Sequence, residues 1–200
     1  MEKIWLKNYQ PGVPPVIESD RYSSLKDLFE ESCKSFLDRP AFVNMTKMIT
    51  FRELDEKSRS FAAYLQNVLK LKKGERIALM MPNLLQYPIA LFGALRAGYV
   101  VVNVNPLYTS RELQYQLKDS GAQVVVVLEN FAHTLEKALN TVEIRQVIVT
   151  EVGDMLSFPN SWVVNWVVKY IKKLIPTWNI KNYIKFTNVL QIGKKYALHD

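Results

Sequence analysis

Cysteine and histidine are nearly missing from this 200-residue chain, and their scarcity removes whole classes of chemistry. Cys33 is alone, so no internal disulfide forms, and a reducing compartment fits. His133 and His199 are the only histidines, which leaves no zinc-ligand spacing. Glycine is sparse: Gly12, Gly74, Gly93, Gly98, Gly121, Gly153 and Gly193. No two of them stand two apart, which excludes the G-x-G-x-x-G dinucleotide fingerprint. Gly93 and Gly98 have the spacing of a nucleotide phosphate loop, but Tyr99 and Val100 follow where lysine and serine or threonine are required. Gly93 therefore reads as a close-packing residue and Gly98 as a helix cap. No G-x-S-x-G elbow supports a Ser-His-Asp arrangement. No apolar run of about 18 or more residues exists to span a membrane. Met1–Pro15 lacks the apolar core of a signal peptide, so a cytoplasmic location is expected.

Basic residues are plentiful: the net charge is +7 and the pI about 9.4. Such a balance favours phosphate, nucleic acid or anionic lipid, without specifying a fold. Hydrophobic residues make up 48%, an ordinary share for a globular domain with a sizeable core.

The stretch from Glu75 to Leu113 organises the rest. Ile77–Met81 reads as a buried strand. Pro82 ends it and Asn83 is expected to cap a helix through Ile89, Leu91, Phe92 and Leu95. Gly98 stops that helix, and Val100, Val101 and Val102 open a second strand. Strand, crossover helix and strand imply a right-handed βαβ unit. Upstream, residues 1–22 read as an extended arm in which Pro11, Pro14 and Pro15 forbid a helix. Ser24 caps a helix to about Leu37, with Leu25, Leu28, Phe29, Cys33 and Phe36 on its apolar side. Cys33 is read there as a small core residue. Ala41–Asn44 and Lys47–Thr50 form a small hairpin. Thr50 and Glu53 make a capping box for a helix to about Leu69.

Downstream the alternation continues. Thr109 and Glu112 form another capping box, with Gly121 at the far end. Val124–Leu128 is a buried strand, Phe131–Asn140 an amphipathic helix, and Val147–Val149 a further strand. His133, in that helix, reads as a surface or packing residue. The order β-α-β-α-β-α-β from Ile77 to Thr150 predicts an α/β fold: an open, mostly parallel sheet with helices on both faces, after a small hairpin and two helices. Residues 23–150 are the α/β part. Asn103, Asn105 and Pro106 lie at a strand's carboxyl end, where α/β sheets place ligands, but the turn fixed by Pro106 is the preferred role.

Residues 151–200 change character. Seven lysines against three acidic residues put four of the seven net charges here. Asn160–Ile175 is drawn as a helix ended by Pro176. Trp162 and Trp166 lie on its apolar side, and Asn165, Lys169, Lys172 and Lys173 on the other. Two readings stand open: an interfacial helix on a membrane surface, or a helix packed on the core with a solvated lysine face.

PAFVN at Pro40–Asn44, TFRELDEKSRSFAAYLQ at Thr50–Gln66, MMPNLLQYPIALFGALRAG at Met80–Gly98 and VVNVNPLYTSREL at Val101–Leu113 carry a resemblance. They are similar to the amino-terminal part of bacterial long-chain fatty-acid–CoA ligases, in the adenylate-forming superfamily. The resemblance covers essentially the whole chain and is most specific from Pro40 to Gly121. It implies an incomplete amino-terminal domain of the adenylate-forming fold. For the intact enzyme it implies fatty acid, ATP, Mg²⁺ and CoA, which yield acyl-CoA, AMP and pyrophosphate through an acyl adenylate. Nothing matches the family's phosphate loop YTGGTTG, and Asp200 stands just before its expected place. The catalytic lysine of the mobile lid is likewise unmatched. No catalytic, cofactor-binding or metal-binding residue carries over; Asn83, Asn103, Asn105 and Pro106 carry over as fold markers. Three expectations follow. The first is an amino-terminal region without independent activity, binding no cofactor itself. The second is a binding module that complements a separate polypeptide carrying the catalytic motifs. The third is a membrane-surface module using Trp162, Trp166, Lys169, Lys172 and Lys173, at the inner face of the membrane. An incomplete sheet also predicts marginal stability, a missing carboxy-terminal partner or homo-oligomers. Nucleic acid is not expected, since no nucleic-acid fold motif accompanies the lysines.

Overall fold

A computed structural model describes every residue except Met1, Glu18, Ser19, Thr46 and Asp200. The ends and part of the expected arm, and the second turn residue of the hairpin, thus lie outside the described residues. Within the arm, Ile4–Asn8 forms a 3-10 turn. The prolines that bar a helix begin only at Pro11, so the arm is not wholly extended.

Ser24 accepts the Asp27 N–H and opens α1 (Leu25–Phe36). Phe29 and Cys33 are its buried residues; Leu25, Leu28 and Phe36 stay exposed. The hairpin pairs β1 (Pro40–Asn44) with β2 (Lys47–Thr50) in antiparallel register. Thr50 and Glu53 complete the expected capping box of α2 (Phe51–Asn67).

The main sheet starts with β3 (Arg76–Met80), followed by α3 (Gln86–Arg96) and β4 (Val100–Asn103). Here one expectation fails. Asn83 does not cap α3, which begins three residues later with Leu85 at the cap position and no side-chain cap. The Pro82 carbonyl instead accepts the Leu84 N–H, and the Leu84 carbonyl accepts the Tyr87 N–H. Pro88 then falls in the first helical turn, where its missing N–H would have had no partner anyway. Gly98 takes φ +80 just beyond α3, the left-handed position expected of it.

α4 (Ser110–Ser120) carries the Thr109/Glu112 capping box and ends at Gly121 in the left-handed region. Next come β5 (Ala122–Leu128), α5 (Ala132–Ala138) and β6 (Gln146–Thr150). The expected alternation is therefore present. After it lie α6 (Asn160–Trp166), a π-helical turn at Val167–Ile171, β7 (Tyr183–Lys185) and α7 (Phe186–Gly193). The last two correct the reading of residues 151–200 as one helix and a tail. The helix after Asn160 also stops at Ile171, short of Ile175.

Among the described residues the sheet runs β4-β3-β5-β6-β7, all parallel. Alternate residues face opposite ways, which is why the strands read as unbroken apolar runs. Ile77, Leu79, Val124, Val126 and Ile148 meet the core of α1, α2, α3 and α7. Ala78, Met80, Val125, Val127 and Val149 meet α4 and α5. α2 lies across both α3 and α7, and each approach needs a glycine. A Cβ on Gly93 would sit 2.8 Å from the Ser58 carbonyl oxygen, and one on Gly193 would collide with the Ser60 carbonyl. The packing role read for Gly93 is thus observed.

Candidate functional site at the carboxyl edge of the sheet

β3 is flanked by β4 and β5, which the chain reaches by crossovers in opposite directions. The loops leaving β3 and β5 therefore diverge, and such divergence opens the crevice in which α/β sheets hold ligands. On the β3 side the Tyr87 hydroxyl donates to Asn103 Oδ1 at 2.9 Å. Gln116 Nε2 donates to the Asn103 carbonyl at 2.9 Å. Asn105 Oδ1 accepts the Leu107 N–H at 3.0 Å, and its carbonyl accepts the Tyr108 N–H. That is an Asx turn around Pro106, the structural role preferred for these residues. Asn83 lies across from Asn44, whose Nδ2 donates to the Asn83 carbonyl at 3.3 Å. Asn44, Asn83, Leu84 and Tyr87 line a small, largely apolar cleft of about 320 Å³ there.

The β5 and β6 ends carry a polar network. Gln86, buried, donates from Nε2 to Thr150 Oγ1 at 3.1 Å and to the Glu151 carbonyl at 2.8 Å. Thr150 Oγ1 and the Glu151 N–H both donate to Asp154 Oδ2 at 2.9 Å. Burial raises the Asp154 carboxyl above the usual range, and these two donors only partly offset it. Asn165 Oδ1 accepts the Gly153 N–H at 2.6 Å, and its Nδ2 donates to Asp154 Oδ1 at 3.4 Å. Lys169 Nζ lies 3.0 Å from Oε1 of Glu129, whose side chain is only 6% exposed. That hydrogen bond is the main cause of the raised Lys169 pKa. Asn130 Nδ2 reaches the Leu174 carbonyl at 3.1 Å.

These bonds fix the orientation of α6 and the π-turn after it. Asn165 of α6 and Lys169 of the π-turn bond to the domain. The aromatic residues of this segment face solvent: Trp162 stacks on Trp166 at 6.3 Å, and Trp166 meets Tyr170 at 6.5 Å. Trp162 remains 64% exposed. Lys172 and Lys173 are exposed just past the π-turn. A core-packed apolar side is thus not what forms, because Trp162, Trp166 and Tyr170 stay exposed.

The structure hydrogen-bonds Asn103 to Tyr87, puts Asn83 with Tyr87 in the lining of the small cleft, keeps Asn105 and Pro106 in their turn, and stacks Trp162 on Trp166 while Lys169 pairs with Glu129. His133 is half-buried, its Nε2 3.2 Å from Thr134 Oγ1. Glu129 and Gln86 were not singled out from sequence. A lone acid directly after the β5 valines was the only available signal. Among the described residues, no three His, Cys, Asp or Glu side chains gather as metal ligands would. The network positions elements and pairs no nucleophile with a base.

The family described as AMP-binding enzyme matches residues 29–182. The chain is 58% identical over 195 residues to the long-chain-fatty-acid–CoA ligase of Yersinia pestis, covering 98% of this chain and 35% of that protein. Against the ligase of the same description from Haemophilus influenzae it is 55% identical over 194 residues, covering 97% and 34%. It spans about a third of the length of these curated relatives. Among solved structures, a benzoate CoA ligase from Burkholderia xenovorans LB400 matches with TM-score 0.63 and 25% identity, over 86% of this chain and 28% of that one. An anthranilate CoA ligase, AuaEII, in complex with anthranoyl-AMP, matches in fold with TM-score 0.68 and 17% identity, over 90% and 29%.

Proposed function

Because the chain belongs to the AMP-binding enzyme family, we propose that it is the amino-terminal part of a long-chain fatty-acid–CoA ligase. The carrying observation is its close likeness to such ligases along nearly its full length. The intact enzyme would join a fatty acid to CoA at the expense of ATP, with Mg²⁺ and basic groups neutralising the triphosphate as the carboxylate attacks. In that division of labour this chain supplies scaffold. Its parallel sheet and the loops at its carboxyl edge hold one side of the domain, and residues beyond its own supply the chemistry. Taken alone it is inactive, since it has no phosphate cradle and no lid lysine. It works in the cytoplasm, at the inner face of the membrane from which a long-chain acid is taken.

A chimera tests this. Residues 1–200 replace the corresponding third of the Yersinia pestis ligase. The expected result is acyl-CoA formation from oleate that depends on ATP and CoA. A folded, soluble chimera without that activity contradicts the reading.

One observation favours a second reading, a module that complements a separate polypeptide. β4 and β7 are the outer strands of the sheet, and each leaves one edge open among the described residues. Mixing the chain with a separate polypeptide that carries the catalytic motifs would then restore activity in trans.

A further inference from the structure

We propose that α6 and its π-turn form a lipid-docking surface, with the aromatic ladder inserted at the headgroup–acyl boundary and Lys172 and Lys173 on anionic headgroups. The inference rests on the membrane-side location proposed above and names the surface that makes the contact.

Three observations carry it. The first is exposure. Asn165 and Lys169 hold the segment to the domain through Gly153, Asp154 and Glu129, and its aromatic side chains are left uncovered. Phe158, Trp162, Trp166, Tyr170, Ile171 and Leu174 are all exposed there. The second is alignment. In an α-helix, residues four apart drift by about 40° per step. The wider π-turn at Val167–Ile171, closed by the Lys172 N–H on the Val167 carbonyl at 2.8 Å, turns the next step back. Tyr170 therefore continues the Trp162–Trp166 stack as one ridge. The third is charge. From Met155 to His199 there is no acidic residue and there are seven lysines. Lysine is depleted at protein–protein interfaces. Beside tryptophan and tyrosine it is the composition of an interfacial helix on anionic lipid.

The test uses the whole chain with vesicles of phosphatidylcholine containing phosphatidylglycerol, and with the same vesicles carrying brominated acyl chains. Sedimentation with the vesicles is expected, together with quenching of tryptophan fluorescence by the brominated lipid. W162F/W166F should keep binding and lose most of the quenching. W162S/W166S, at exposed positions, should keep its circular dichroism spectrum and bind at least tenfold more weakly. K172Q/K173Q should lose on the order of tenfold in binding at low salt and little at high salt. Binding without quenching at Trp162 and Trp166 overturns the surface assignment and leaves the membrane-side location standing. Absence of vesicle binding overturns both. Self-association abolished by W162S/W166S, with no vesicle binding, overturns the proposal in favour of a second copy on this face.

Discussion

Replacing Arg96 should destabilise the whole helical layer over the β3 face. Its side chain is fully buried at the end of α3, yet it carries a charge. Nε lies 3.2 Å from Glu30 Oε1 on α1, and Nη2 lies 2.8 Å from Asp55 Oδ1 on α2. Nη1 donates to Ser58 Oγ at 2.8 Å and to the Asp55 carbonyl at 3.2 Å. The guanidinium also sits over the Phe29 ring, 5.2 Å from its centre. One side chain thus ties α1, α2 and α3 together. Removing one partner of a buried ion pair costs about 3–5 kcal/mol. Two features place R96A at the lower end. Glu30 and Asp55 each keep 23% exposure, and Asp55 retains Arg59 as a second partner at 3.0 Å. The expected loss is therefore about 3 kcal/mol, a large share of the roughly 5–15 kcal/mol of a typical domain. R96K keeps the charge without the planar fork and should lose less. Urea unfolding followed by circular dichroism reads the change, and R96M with E30Q in a double-mutant cycle reads the coupling. A loss below about 1 kcal/mol for R96A, with no coupling, would refute the claim that this network joins the helices.

Other outcomes follow from the packing and the titrating groups. G193A forces a Cβ into the Ser60 carbonyl where α7 meets α2, and should cost about 1–3 kcal/mol of stability, read as a lower urea midpoint. Burial pushes the Cys33 thiol up to about 11 from 9.0. The unfolded thiol ionises first, so this group's contribution falls as pH rises from 9.0 towards 11. Alkylation of native Cys33 at pH 9 should be slower than in urea by tenfold or more. The Lys169–Glu129 bond raises the lysine pKa above 10.5. Its contribution is complete below that ordinary value and is lost as pH climbs through the raised one. Fluorescence of Trp162 and Trp166 should report α6 loosening in that alkaline range, and K169M should remove the pH step.

Patterning carried much of the architecture. The two capping boxes, the valine runs and the left-handed Gly98 and Gly121 each use short-range physics that leaves a mark in sequence. Asn83 misled because a cap residue after a strand signals a helix only if the chain turns at once. Here the Pro82 carbonyl takes the next available N–H and delays α3 to Gln86. β7 escaped notice because Tyr183-Ile184-Lys185 is too short to show a period, and its place depends on pairing with β6. The orientation of α6 was not legible either. Helical spacing puts Asn165 and Lys169 next to the tryptophans, so the pattern alone does not divide inward from outward residues; Glu129 and Asp154, more than ten residues away, decide it.

In the proposed role this chain is a ligase's amino-terminal scaffold, and the adenylate chemistry lies outside it. The most direct measurement is ATP–pyrophosphate exchange on the purified 200-residue chain, with oleate and Mg²⁺ present and CoA omitted. No exchange above a contamination control is expected. Clear, oleate-dependent exchange would contradict this role, because adenylate chemistry would then proceed without a phosphate loop.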